Sequence, residues 1–178
     1  PGDFVAEYIA QTRTWFYYMH AIAVMLFGEQ AFKNVVTTGT ILADDGSKMS
    51  KSKGNYTDPL ANLDKYGADA LRYYLMTSVV MQAEDLRFSD KEVQDAHNRL
   101  INILWNTVNF FEMYADDVGA GGCESNHVLD RWILSRLNSL IGTVTSDLDR
   151  FDTVRAGRPI KDFVVDLSTW YLRRSRNR

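Results

Sequence analysis

The sequence predicts a fold in two parts, a short α/β segment followed by a mostly α-helical bundle. Apolar residues recur at helical spacing from Gln11 to Phe27, and a β-branched stretch follows from Asn34 to Leu42. From Asp90 onward the spacing of apolar residues is helical. A helix followed by a strand is typical of the last unit of a parallel α/β sheet, and successive amphipathic helices are typical of a bundle.

The composition is that of a soluble globular protein. Of the 178 residues, 46% are hydrophobic and 12% are aromatic, enough to bury a core in one or two domains. The apolar run from Trp15 to Phe27 is interrupted by His20 and is too short to span a bilayer, so no membrane partner is expected. A single cysteine, Cys123, permits no internal disulfide and favours a reducing, cytoplasmic setting.

Local signals place the elements of the first part. The first helix is predicted to be mostly buried and to end at Gly28, a common residue after a helix C-terminus. A turn is predicted at 44–46, after the strand, and Asp58 is the expected N-cap of a short helix with Pro59 at its first position. Helical spacing continues over 67–78, and the stretch 84–88 is predicted to be irregular.

The second part is predicted to contain at least three helices. They are expected over residues 90–114, 127–151 and 152–174. Ser89 and Glu92 have the spacing of a capping box at the start of the first. A glycine-rich loop is expected over 115–126, and Pro159 should kink or break the last helix.

A polar, basic loop between the two parts indicates phosphate chemistry. Lys48 and Lys51 are three residues apart, with hydroxyl side chains between and after them, and Lys53 follows. Such a loop can place two ammonium groups around a polyphosphate and can close during a reaction. On composition alone, solvated surface lysines on a hairpin are the more common interpretation.

The amino-acid sequence of this loop resembles the second signature of the class I aminoacyl-tRNA synthetases. The stretch Lys48-Met49-Ser50-Lys51-Ser52 matches that signature in full, and 54–55 and 58–59 continue it. Further matches to the isoleucyl, valyl and leucyl branch lie at residues 11–13, 15–17, 32–34, 67–72 and 85–89. Glu7, residues 11–16 and the terminal stretch 168–176 resemble the isoleucyl enzymes most, ahead of the valyl and leucyl forms.

The resemblance implies three regions and a reaction. Residues 1–45 would be the C-terminal part of a Rossmann-type catalytic domain, 46–89 a linking region with the signature loop, and 90–178 a truncated helical anticodon-binding domain. The implied reaction is activation of isoleucine with ATP and Mg²⁺ to an aminoacyl-adenylate, then transfer to isoleucine tRNA. The first family signature, His-Ile-Gly-His, is absent here. We therefore expect a fragment that is inactive alone and needs the missing N-terminal part of the same enzyme.

The resemblance also assigns roles to residues of the loop. Lys48 and Lys51 would be catalytic, stabilising the phosphate region during transfer. Met49, Ser50 and Ser52 would complete the ATP-binding loop.

Residues outside the loop receive roles in the same way. Glu7 would lie near the adenylate, Gln11 near the ATP ribose, and Gly39 would allow close approach of backbone to nucleotide. A polar helix cap is an equally good interpretation of the first two, and a turn or bulge of the third. The chain has Tyr8 and Ala10 where the family commonly has Gly and Asp.

A basic and aromatic cluster near the end of the chain is interpreted as a tRNA contact. Its members are Trp170, Tyr171, Arg173, Arg174 and Arg176. They combine stacking surfaces with phosphate partners, as single-stranded RNA requires, although an ordinary amphipathic helix end has the same composition.

Two other functions stay open. One is a fragment of a valyl- or leucyl-tRNA synthetase, and the other is a non-catalytic tRNA-binding module. His20, His97 and His127 have no acidic or cysteine companions at metal-ligand spacing, so no protein metal site is expected.

Overall fold

The chain divides into two units, each built from two stretches of sequence. Unit 1 comprises residues 1–56 and 75–89, and unit 2 comprises residues 57–74 and 90–178. The computed structural model describes residues 1–56, 58–115 and 125–177, and all of their side chains except that of Lys51. These residues are mostly helical, with two small sheets in unit 1. Most of the loop predicted at 115–126, including Cys123, lies outside the described residues.

Unit 1 contains four short strands and one α-helix. The strands are β1 (Val5–Tyr8), β2 (Val35–Thr38), β3 (Ile41–Leu42) and β4 (Leu86–Arg87), and the helix is α1 (Trp15–Phe27). Three 3₁₀ turns lie at Ile9–Arg13, Lys51–Lys53 and Val79–Gln82. The turn predicted at 44–46 is confirmed, since the N–H of Gly46 donates to the carbonyl of Ala43 at 2.8 Å.

The strands of unit 1 pair in parallel. β1 pairs with β2, with Tyr8 opposite Thr38, and β3 pairs with β4, with Leu42 opposite Arg87. The single strand predicted over 34–42 is therefore two strands, which join different sheets.

The prediction of irregular structure at 84–88 holds for residues 84, 85 and 88 but is wrong for Leu86–Arg87, which form β4. The N–H groups of Leu86 and Phe88 donate to the carbonyls of Thr40 and Leu42 at 2.8 and 2.9 Å. Both bonds join residues more than forty positions apart in the sequence, where short-range patterns carry no information.

Helix α1 ends as predicted, but its predicted burial is wrong. Gly28 adopts a left-handed conformation with φ of 68°. Phe16 is the buried residue of α1 and packs edge-on against Phe32 with ring centroids 5.8 Å apart, whereas Phe27 is 76% exposed. The helix is apolar around its whole circumference, and unit 1 covers only the side that carries Phe16.

The regular structure of unit 2 is helical in its described residues. Its helices are α2 (Pro59–Tyr66), α3 (Ala68–Met76), α4 (Asp90–Ala96), α5 (Asn102–Glu112), α6 (Val128–Leu148), α7 (Thr153–Val165) and α8 (Arg173–Ser175). The last residues of α3 belong to unit 1. Two π-helical segments, His97–Ile101 and Asp166–Leu172, join α4 to α5 and α7 to α8. The predicted helical runs at 90–114, 127–151 and 152–174 are thus confirmed, with ends that differ by up to about three residues.

Side chains from several helices form the core of unit 2. Its buried apolar residues are Tyr66, Ala70, Leu71, Tyr74, Val93, Ala96, Leu100, Ile133, Val154, Ala156 and Val164. Polar bonds fix the packing: Asn62 donates to the Asp90 carboxylate at 2.9 Å, and the Tyr73 hydroxyl donates to the carbonyl of Gly157 at 3.2 Å.

Two proline predictions have opposite outcomes. Pro59 follows an N-cap, as predicted, because the Asp58 carboxylate accepts from the N–H of Leu60 at 3.0 Å. The sequence predicts a kink or a break at Pro159, and the break is wrong, since α7 continues to Val165. Proline removes one hydrogen bond from a helix, and here the buried apolar face of α7 offsets that loss.

In the part of the chain that the structure describes, we find no helix whose length and apolar character would allow it to span a membrane.

Candidate nucleotide-binding loop

Three candidate segments leave the carboxyl ends of parallel strands. The 3₁₀ turn with Gln11 follows β1, the Gly39-Thr40 step follows β2, and the basic loop follows β3. The hydroxyls of Tyr8 and Thr40 lie 3.4 Å apart and join the first two segments. Ligands of parallel α/β sheets bind outside the carboxyl ends of strands, so this placement suits a substrate site.

The signature loop, residues 47–55, has an anchored start. The N–H of Ala43 donates to the carbonyl of Ser47 at 2.9 Å, and Lys48 forms an isolated antiparallel bridge with Leu42. The N–H of Ser47 in turn donates to the Asp45 carboxylate at 2.8 Å. The hydrogen bonds from Ser47, together with the charge of Lys53, hold the pKa of Asp45 below its usual value. The loop therefore begins on a fixed backbone.

The second half of the signature loop is a tight turn. The N–H of Lys53 donates to the carbonyl of Ser50 at 3.2 Å, and the hydroxyls of Ser50 and Ser52 lie 2.8 Å apart. Gly54 then reverses the chain with φ of 61°, a conformation that glycine adopts without strain.

One side chain connects the two halves. Asn55 accepts from the N–H of Ser50 at 2.9 Å and donates to the hydroxyl of Ser47 at 2.8 Å and to the carbonyl of Lys48 at 3.2 Å. The amide of Asn55 thus bonds to both halves of the loop.

The candidate lysines are placed as follows. Lys48 is exposed, and no ion pair to it is found among the described residues. The backbone of Lys51 opens the 3₁₀ turn, while its side chain lies outside the described part. An exposed ammonium on a fixed backbone is suited to meet a phosphate that arrives from solvent.

Gln11 acts as a cap for α1. Its side-chain oxygen accepts from the hydroxyl of Thr14 at 2.5 Å and from the N–H of Trp15 at 3.2 Å. These bonds favour the helix-cap interpretation of Gln11. Glu7 is exposed on β1 opposite Thr37. Nucleotide contacts by Glu7 and Gln11 stay predictions.

Gly39 approaches a backbone of its own unit. A Cβ added there would lie 1.9 Å from the carbonyl oxygen of Glu84, and the N–H of Gly39 donates to the carbonyl of Val80 at 2.7 Å. These contacts explain the glycine by packing within unit 1, and the predicted approach of its backbone to a nucleotide stays a prediction.

The terminal cluster is only partly available to a ligand. The guanidinium of Arg174 lies 3.9 Å from the ring centroid of Trp170, which is 46% exposed. The hydroxyl of Tyr171, by contrast, donates to the Asp130 carboxylate at 3.0 Å. Arg176 lies over Phe110 at 5.7 Å, and Arg173 is exposed. Among residues 1–56, 58–115 and 125–177, no three His, Cys, Asp or Glu side chains could hold a metal ion.

Comparison with known proteins decides the family. Residues 1–87 match the class I tRNA synthetases (I, L, M and V), and residues 130–178 match the anticodon-binding domain of tRNA ligase. The whole chain is 48% identical to an isoleucine–tRNA ligase of Chlamydia trachomatis serovar D and 42% identical to one of Corynebacterium efficiens. The chain belongs to the class I tRNA synthetases. It spans 18% and 17% of the length of those two relatives.

Solved structures of class I tRNA synthetases share the fold. A LeuRS of Agrobacterium radiobacter K84, in ternary complex with tRNA and LeuAMS, is 22% identical with a TM-score of 0.71, over 92% of this chain and 22% of its own. The methionyl-tRNA synthetase of Mycobacterium tuberculosis, in complex with methionyl-adenylate, is 24% identical with a TM-score of 0.76, over 96% and 34%.

Sequence reasoning missed one residue of this class I tRNA synthetase loop. The sequence analysis included Asn55 only as a residue that continues the signature and gave it no role. Its position directly after a turn glycine is a usable signal, because asparagine can both donate to and accept from the backbone of a preceding turn.

Proposed function

We propose that the chain works within a longer isoleucine–tRNA ligase, which activates isoleucine with ATP and transfers it to tRNA. The observation that carries the proposal is the signature loop at the carboxyl end of β3, held in a defined shape. The names of relatives at 48% and 42% identity favour isoleucine as the amino acid. The chain spans less than a fifth of these relatives, so the activity would belong to the longer protein.

The two signature lysines would supply charge to the reaction. Lys48 and Lys51 would stabilise the negative charge that develops on the phosphates as isoleucine attacks ATP, a contact of about 3 kcal/mol. Met49, Ser50 and Ser52 would complete the ATP-binding loop. Mg²⁺ would bind there chiefly through the substrate phosphates and water.

The adenylate would lie near the carboxyl end of β1. The exposed Glu7 would lie near the adenylate, and Gln11, whose side-chain oxygen caps α1, retains its amide N–H groups as donors for the ribose. Gly39 would bring the backbone after β2 close to the nucleotide while it packs on Glu84.

The remaining proposals concern the regions of the chain. Residues 1–45 would end a Rossmann-type domain, 46–89 would link it to the helices, and 90–178 would begin an anticodon-binding domain. We place the protein in the cytoplasm. Isoleucine tRNA would contact the terminal cluster, in which Trp170 offers a stacking face and Arg173, Arg174 and Arg176 offer phosphate partners, with Tyr171 positioned by Asp130.

Pyrophosphate exchange tests the catalytic proposal. In the full-length polypeptide that contains these residues, isoleucine should support ATP–pyrophosphate exchange with a higher kcat/KM than valine or leucine. Lys48→Ala and Lys51→Ala should each lower kcat about 100-fold or more. Lys91→Ala, on the exposed surface of α4, is the matched control and should leave kcat unchanged. A preference for valine or leucine would reassign the substrate, and the absence of any exchange would favour a non-catalytic tRNA-binding module.

Salt-dependent binding tests the tRNA proposal. Anisotropy of labelled isoleucine tRNA should report weaker binding after Arg174→Ala, with the slope of log K against log salt smaller by about one. Trp170→Ala should cost about 1–3 kcal/mol through lost stacking. Arg99→Ala, an exposed arginine of unit 2 paired with Asp95, is the control. Equal effects of Arg99→Ala and Arg174→Ala would remove the terminal cluster from the binding site.

A further inference from the structure

The side-chain amide of Asn55 bonds to both halves of the signature loop. The amide oxygen of Asn55 accepts from the N–H of Ser50, while its nitrogen donates to the hydroxyl of Ser47 and to the carbonyl of Lys48. Ser47 and Lys48 belong to the half of the loop that is anchored to β3, and Ser50 starts the 3₁₀ turn with Lys51. Asn55 thus fixes the backbone on both sides of Met49.

The chemistry of the three partners requires a side-chain amide, which both donates and accepts. A backbone N–H can only donate and a backbone carbonyl can only accept, so the oxygen of Asn55 must face Ser50 and its nitrogen must face Lys48. Aspartate keeps the acceptor but has no donor when ionised, and it would add negative charge to a loop that meets polyphosphate. Alanine loses all three bonds.

We infer that Asn55 is a positioning residue, which sets where the Lys48 ammonium lies when the transition state forms. The inference rests on the proposed function of the loop in adenylate formation. Lys48 is exposed, and no ion pair with a described residue holds its side chain, so its backbone position decides its reach. A displacement of about 1 Å in such a group can lower the rate about 100-fold.

The test measures isoleucine-dependent pyrophosphate exchange in the full-length polypeptide, with active sites titrated by the burst of adenylate formation. Asn55→Ala should lower kcat per active site about 100-fold and change KM for isoleucine less than threefold. Asn55→Asp should lose at least as much, and Ser47→Ala, which removes one of the three bonds, should lose less than tenfold. Asn106→Ala, an exposed asparagine on α5, is the matched control and should keep the wild-type kcat.

A double-mutant cycle shows whether Asn55 acts through the lysine. In a Lys48→Ala background, followed in single turnovers, Asn55→Ala should reduce the rate less than tenfold. An equal loss in both backgrounds would overturn the inference, as would a normal kcat in Asn55→Asp. A fall in titratable sites with normal kcat per site would also overturn it, because that pattern describes folding alone. Failure of the wild type to exchange pyrophosphate would instead contradict the proposed function.

Discussion

Gly39→Ala should destabilise unit 1 because a side chain at this position meets backbone. The added Cβ would lie 1.9 Å from the carbonyl oxygen of Glu84 and 2.8 Å from its nitrogen. Real Cβ atoms essentially never lie closer than 3.0 Å to another heavy atom. The segments that contain Gly39 and Glu84 must therefore move apart by about 1 Å. Overpacking of this kind costs about 1–3 kcal/mol.

The separation should also weaken the hydrogen bonds that join the same segments. The N–H of Gly39 donates to Val80 at 2.7 Å, and the N–H of Leu86 donates to Thr40 at 2.8 Å. Each such bond contributes about 1 kcal/mol net. We therefore expect Gly39→Ala to lower the free energy of unfolding of this region by about 3 kcal/mol.

Alanine substitutions at two other glycines distinguish the cost of a steric contact from the cost of backbone strain. Gly28 has φ of 68° and nothing within 4 Å of an added Cβ, so Gly28→Ala should cost only the strain, about 1–2 kcal/mol. Gly142 lies in α6 with open space and no unusual φ, so Gly142→Ala should stabilise unit 2 by about 0.5–1 kcal/mol.

Hydrogen exchange read by mass spectrometry at increasing urea concentration measures these effects locally. In Gly39→Ala, peptides over 35–43 and 79–88 should lose about 3 kcal/mol of opening free energy, while peptides from α6 should be unchanged. A loss below about 0.5 kcal/mol in those two peptides would refute the steric argument. A loss equal to that of Gly28→Ala would show that contact with Glu84 adds nothing to ordinary backbone strain.

Three further predictions concern unit 2. Tyr73→Phe removes the bond to the Gly157 carbonyl and should cost about 1 kcal/mol in urea unfolding. Burial raises the pKa of Tyr73 above 10.0, so its contribution to stability is complete below pH 10 and declines as the pH rises further; the phenylalanine variant should lack this decline in an alkaline urea series. Asp58→Ala should lower stability by about 1 kcal/mol in the same assay, and Asp58→Ser should retain most of it, because serine also caps helices. Asp147→Ala removes a buried carboxylate bonded to Arg150 and should lower the urea midpoint by the equivalent of about 2 kcal/mol, whereas Arg150→Ala, at an exposed partner, should cost less.

Sequence predicted helix ends well because capping is local. Asp58 and Pro59 lie within two residues of the N–H that the aspartate caps, and Gly28 terminates α1 through its own φ. Such interactions depend on neighbours along the chain, so a short window contains all that determines them. The continuation through Pro159 is different, because it depends on the packing of α7 in unit 2.

The strands show where local information ends. β4 is only two residues long. It forms because the N–H groups of Leu86 and Phe88 donate to the carbonyls of Thr40 and Leu42. Gly39 separates β2 from β3 so that each joins a different partner. A β-branched stretch predicts extended backbone in this region. It does not predict how many strands that backbone forms or which strands they pair with.

The exposed surface of α1 has a similar origin. Helical periodicity identifies apolar positions, and it predicts burial only if another element covers each of them. In unit 1 the covering element is Phe32 and its neighbours, which reach Phe16 and leave Met25 and Phe27 at 75% and 76% exposure. Hydrophobicity was therefore a correct guide to the helix and an incorrect guide to its burial.

The candidate site combines both kinds of information. The five signature residues are recognised from their amino-acid sequence, which is local information. The structure adds that β3 and the side chain of Asn55, eight residues after Ser47, fix the base of the loop. Ser52 and Lys53 stay exposed above that base. In the proposed reaction the loop would enclose ATP and then release it, which needs an exposed tip, and it would stabilise a transition state, which needs fixed charges. Anchoring the base through Asn55 while the tip faces solvent meets both requirements within nine residues.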